Sequence, residues 1–150
     1  MLGRTHLALG ALAGVALEQY FLPSNVNAYY ILVLVGAILP DIDHQGSTIN
    51  NVLPLTRFAA KIMHHRGIFH TIFMPILIMI VAGFLGYPAY GWYLVIGYIV
   101  HLLSDSLTEL GVNWLHPFSE EKVHGFIRTG TWAEHFVFLL ALFLVGMQVF

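Results

Sequence analysis

The chain has no cysteine and very little charge. With no cysteine among its 150 residues, disulfides, thiolate metal sites and a cysteine nucleophile are excluded, so any metal must be held by His, Asp and Glu. Charged residues make up 9% of the chain and hydrophobic ones 58%, with mean hydropathy +0.77; a soluble domain carries about 25% charge. That balance belongs in a bilayer. A formal net charge of −2 gives no global attraction for nucleic acid, and no such partner is expected. No Pro/Ser/Gly-rich linker or low-complexity tract interrupts the sequence. The expectation is one integral membrane domain over 1–150.

What is present is apolar sequence in runs of near-bilayer length, at 5–22, 27–40, 69–86, 90–110 and 131–150. These predict an all-α fold, a polytopic membrane helix bundle of about five helices. The second run holds about 14 residues and covers roughly 20 Å at helical rise, so it must tilt, sit in thinned bilayer or be partly re-entrant. "FLPSNVN" (21–27) and "GYPAYG" (86–91) read as tight turns, whereas 41–68 and 111–130 are longer and polar. Within the 45–66 connection, "NNVLPLTRFAAKIMHHR" sets apolar residues against Arg57 and Lys61 on a rough helical stripe. That predicts an additional interfacial helix; a loop helix packed on the bundle fits the same pattern.

All six basic residues sort to one side: Arg4, then Arg57, Lys61 and Arg66, then Lys122 and Arg128. By the positive-inside rule the amino terminus and both long connections face the cytoplasm of a plasma (inner) membrane protein. Tyr20, Tyr29, Tyr30, Tyr87, Tyr90, Trp92 and Tyr93 cluster near the tight turns, as an outer aromatic belt would. Arg4 followed by "LALGALAGVA" also resembles a secretory signal, but cleavage would remove His6. The first run is therefore read as a span.

Nine histidines in so apolar a chain require an account. His6 lies at the cytoplasmic end of the first run; Asp41, Asp43 and His44 follow the second; His65, Arg66 and His70 straddle the start of the third. Glu134 and His135 open the fifth. In "HLLSDSLT", His101, Asp105 and Thr108 fall on one helical face. Counted from residue 110, they sit roughly 14, 8 and 3 Å inside that end. Ionisable groups inside a bilayer are costly and mark a site or pathway. Here five runs deliver theirs to one level, while the outer half keeps little beyond Glu18 and tyrosines. A shared divalent cation resolves the repulsion between carboxylates and the desolvation of imidazoles. With N and O donors only, zinc suits the set best, manganese or iron also fit, and of the one or two ions such a site could hold, more than four ligands suggests two rather than one. Taken singly, the same residues have ordinary uses: His6 as a hydrogen-bonded core histidine, Asp41 and Asp43 as caps after Pro40, His44 as a solvated loop residue, and His64 and Arg66 as a basic patch on headgroups. His116 and His124 read as loop residues.

Together "LPDIDH" (39–44), "HRGIFHT" (65–71), "GYIVHLLSDSLTELGVNWLHPF" (97–118), "RTGTWAE" (128–134) and His6 resemble the YdjM family of membrane-bound metal-dependent hydrolases. The family pattern commonly has Thr before its second histidine and Ser after it; here Phe69 and Thr71 stand there. The resemblance implies a metal site of His6, Asp41, His65, His70, His101, Asp105 and Glu134, with Asp43 and His44 beside it. The ligand order is also loosely similar to zinc-dependent phospholipase C and P1-type nucleases, which use more histidines and an N-terminal Trp that this chain lacks.

The resulting expectation is hydrolysis of a phosphoester in a membrane lipid at the cytoplasmic face. Arg66 would pair with phosphate, Asp43 would act as general base or acid, and Thr108 would orient a ligand. One rival is divalent-cation transport, although a transporter places its site near the midplane with access from both faces. Another is a metal-stabilised regulatory protein without catalysis; the family's association with LexA binding implies a regulatory protein partner of that kind.

Overall fold

The computed structural model describes residues 1–43 and 67–149, and of Ile42 and Asp43 the backbone alone. The expected interfacial helix in 45–66, and with it His44, His65 and Arg66, lies outside the described residues. Among the described residues the fold is all-α, with five α-helices and no strand beyond two isolated bridges.

Helix α1 covers Gly3–Phe21 and stops where Leu22 turns left-handed (φ 40°), its N–H reaching Glu18 O at 2.9 Å. Pro23 then forbids continuation. Helix α2, Val26–Ile38, starts on the Asn25 side chain, which accepts from Ala28 N at 3.0 Å. Pro40 has no N–H to donate back into α2, and the chain tightens into a 3₁₀ turn, Leu39–Asp43. A second 3₁₀ turn, Ile68–His70, precedes α3 (Phe73–Phe84). Helix α4, Pro88–Ser106, opens on Pro88, and α5 covers Trp132–Val149.

The helix ends correct two expectations. The third run is helical only from Phe73, because 68–70 fold as a separate turn. The fourth ends at Ser106 rather than near 110, because its carbonyls turn to the following connection: Leu107 O accepts from Ile127 N and Thr108 O from Gly125 N, both at 3.0 Å. Measured from Ser106, His101 is therefore roughly 7.5 Å from the helix end, half the depth expected. The connection 107–131 is an ordered cap, not a polar loop. Val112 and Val123 exchange two 2.9 Å backbone bonds, and Trp114 Nε1 donates to Ser106 Oγ at 2.9 Å.

Helix α4 packs against α1, α2 and α3, while α5 leans on α1. Glycine makes the closest crossing. A Cβ on Gly97 would run into Val33 O, and one on Gly36 into Leu94 O, so each helix offers a bare backbone to the other. The Gly10 and Gly14 pair is spent inside the bundle on Ala37 and Tyr30 of α2. Tyr29, Val33, Tyr93 and Ile96 form the core at one end, and Tyr98, Leu102 and Val112 at the other.

The outside is apolar: α5 exposes Phe136, Leu139, Phe143 and Met147 by more than 60% each, while His6, His101 and Glu134 are fully buried. Water as sole solvent would favour the opposite distribution. Of the described helices, α5 alone is long and apolar enough to cross a membrane; α2 and α3 are apolar but short.

Candidate metal centre

Four segments meet at the end of the bundle where α1 begins and α4 ends. His6 comes from the first turn of α1, Asp41 from the 3₁₀ turn behind Pro40, His70 from the turn before α3, and His101 with Asp105 from the last turns of α4. The i, i+4 spacing puts the last two on one face. Tyr98, one turn earlier, donates its hydroxyl to Phe69 O and so pins the backbone that carries His70, while Thr71 Oγ1 closes the same turn on Ile68 O at 2.7 Å.

The donor atoms converge. Asp105 Oδ2 lies 3.6 Å from His101 Nε2 and 3.8 Å from His70 Nε2, and Asp105 Oδ1 lies 3.3 Å from His6 Nε2. Asp41 Oδ1 is 3.8 Å from His101 Nε2 and 3.9 Å from His70 Nε2. The His6 and His101 rings stack with centroids 3.8 Å apart. Two overlapping ligand triads result, His6–Asp41–His101 and His70–His101–Asp105. The α-ammonium of Met1 donates to Asp105, so the pocket already holds a positive group against that carboxylate.

Hydrogen bonds set the state of two imidazoles. His101 Nδ1 is 2.8 Å from Ala37 O, an acceptor only, so Nδ1 carries a proton and, in the neutral ring, Nε2 turns a lone pair to the cluster. His6 Nδ1 is 2.8 Å from Ser104 Oγ, and that hydroxyl donates its own proton to His101 O at 2.8 Å. His6 Nδ1 must then donate, leaving a buried Nε2 without a hydrogen-bond partner. Burial, and after it the neighbouring His101, lowers the His70 imidazole below its ordinary value. Lone pairs and two carboxylates thus share one pocket, and a cation is the group that satisfies them together.

Glu134 is held differently. It is fully buried, and its two oxygens accept from Leu2 N at 2.5 Å and Gly130 N at 2.6 Å, outside both triads. It ties the start of α1 to the turn before α5. Thr108 Oγ1 donates to Asp105 O at 2.7 Å, closing the end of α4 behind that carboxylate. The Asp43 backbone ends the first 3₁₀ turn, two residues beyond Asp41. Ser104 and the Ala37 carbonyl were not singled out from sequence. Ser104 had a signal, since it stands three residues after His101 on the same helical face; a backbone carbonyl of another helix has none.

A family model described as the YdjM inner membrane protein matches residues 1–149. The chain belongs to the YdjM family. Along nearly its full length it is 28% identical, over 140 residues, to the uncharacterized protein YvsG of Bacillus subtilis (strain 168), covering 91% of this chain and 87% of that one. To the inner membrane protein YdjM of Escherichia coli (strain K12) it is 31% identical over 93 residues, 56% of this chain and 46% of that protein, and the same figures hold for YdjM of Shigella flexneri. It thus matches less than half the length of the YdjM proteins themselves. No solved structure matches the chain. Membership in an inner membrane protein family accounts for the exposed apolar faces of α3 and α5.

Proposed function

We propose that this YdjM-family protein is a membrane-embedded, metal-dependent hydrolase of a phosphoester on a lipid-type substrate, with its site at the cytoplasmic face of a multi-pass bundle. One observation carries the metal reading: three imidazoles and two carboxylates from four separate segments point donor atoms into one pocket, where the buried His6 Nε2 makes no hydrogen bond and faces Asp105 Oδ1 at 3.3 Å. This set contains no sulfur and suits zinc, with manganese or iron as alternatives. When bound, one or two such ions would lower the pKa of water from about 15.7 toward about 7 and offset phosphoryl charge.

The chain's own groups do the rest. His101 and His6 are held with Nε2 inward, and Asp105 offers one oxygen to His6 and the other to His70 and His101. The position of the cluster at a helix end, not at mid-bundle, supports a substrate whose polar part lies level with lipid headgroups. Asp43 as proton acceptor and Arg66 as the phosphate partner complete the reading. The confinement of all six basic residues to the amino end and long connections supports the cytoplasmic orientation.

The test is elemental analysis of detergent-purified protein, followed by a screen of lipid and water-soluble phosphoesters against native protein and Asp105→Ala. Stoichiometric metal and turnover in the native protein, both lost in the variant, are expected. Because the donors come from four segments, an ion could also serve to hold them together. A metal-loaded protein that turns over no phosphoester, and unfolds when chelated, would favour that structural role with a regulatory partner. Metal that the variant retains would overturn the site itself.

A further inference from the structure

We propose that Ser104 is a positioning residue of this centre, locking His6 in the tautomer and orientation in which its Nε2 can take an ion. The inference rests on the metal reading above and adds a residue that touches none of the converging donor atoms. Ser104 is buried, 3% exposed, on α4 between His101 and Asp105. Its hydroxyl has one proton, donated to His101 O at 2.8 Å, so toward His6 Nδ1, also at 2.8 Å, it can act only as acceptor. A neutral imidazole has one N–H. Once Nδ1 holds it, Nε2 is a bare lone pair 3.3 Å from Asp105 Oδ1. Two like partners are held face to face, a lone pair and a carboxylate oxygen that the Met1 ammonium also touches.

The same hydroxyl joins the two stacked rings. His6 rests on His101 at 3.8 Å, and Ser104 binds the ring of the first and the backbone of the second. Without it, His6 is free to place its proton on Nε2 and donate it to Asp105, which would bury the lone pair on Nδ1 and block the ligand position. Ser104 therefore selects the metal-ready state over a self-satisfied hydrogen bond.

The experiment uses the full chain in detergent and zinc as the probe. Zinc affinity is measured by chelator competition for native protein, Ser104→Ala, Ser104→Thr and Asp105→Ala. Ser104→Ala should bind zinc about 10- to 100-fold more weakly at native stoichiometry, with the metal-free protein melting near its native temperature. Ser104→Thr, which keeps the hydroxyl, should fall closer to native than Ser104→Ala. Histidine ¹⁵N spectra of the metal-free native protein read the tautomer without any substitution, the His6 signal being the one absent from His6→Asn. A protonated Nδ1 is expected, and a protonated Nε2 there overturns the inference even if Ser104→Ala fails to fold. Native zinc affinity in Ser104→Ala overturns it while leaving the metal reading intact. If Asp105→Ala binds zinc as native does, the metal reading falls and this inference with it.

Discussion

The two ends of the bundle are built from similar parts and treat their polar groups in opposite ways. At the far end Tyr29 is fully buried, yet its hydroxyl donates to Gly14 O at 2.8 Å, and Tyr30 donates to Glu18. Tyr29, Tyr93 and Phe21 pack edge on around them. At the other end His6 keeps a buried nitrogen without a hydrogen-bond partner, and Asp41 and Asp105 face the same imidazole nitrogens. An unpaired buried polar atom costs about 1–3 kcal/mol, so an end that leaves His6 Nε2 unpaired beside two carboxylates is one that could hold a metal. The far end is a fastening and the near end a candidate site.

The sharpest break in that comparison is Asp105→Ala, which removes the carboxylate that faces all three imidazoles. Bound metal should drop to background by elemental analysis, with the far end still folded by tyrosine fluorescence. Next, Gly97→Ala places a methyl against Val33 O at the crossing both ends depend on. It should cost up to about 3 kcal/mol in detergent melting and weaken metal binding together with stability. Chelation of metal-loaded protein tests the near end alone. For an ion at 100 times its dissociation constant, removal should cost about 2.7 kcal/mol, read as a lower melting temperature and faster proteolysis near the amino terminus. Glu134→Gln keeps one acceptor for the two amides of Leu2 and Gly130. It should lose about 1.5 kcal/mol yet keep its metal stoichiometry, as a clamp would; a loss of metal would instead make Glu134 a ligand. The smallest effect belongs to Tyr29→Phe at the far end, about 1 kcal/mol with metal affinity unchanged. Altered metal binding there would erase the division between the ends.

Much of this is legible in the sequence. Five apolar runs map onto five helices with ends shifted by a few residues, since apolar stretches of that length have few other ways to satisfy their backbones in lipid. His101 and Asp105 declared themselves by an i, i+4 step on an apolar helix. The runs at 69–86 and 90–110 are longer than their helices because hydropathy does not see a backbone that leaves its helix for a better partner: Ile72 N goes to Trp114 O at 3.0 Å, and Leu107 O takes Ile127 N. Glu134 matches a ligand pattern in the sequence, and in the fold its oxygens accept from two nearby amides.

Composition and spacing by themselves determined that the chain is helical, that its donors are nitrogen and oxygen, and that they gather toward one end. Those properties are local, set by hydropathy along each run and by 3.6-residue periodicity. Only the tertiary structure decided which donors share a pocket, which nitrogen of each imidazole faces it, and that Ser104 and the Ala37 carbonyl stand behind them. Hydrogen-bond direction across a helix crossing depends on how closely two backbones approach, and here that distance is set by Gly36 and Gly97 meeting where neither carries a side chain.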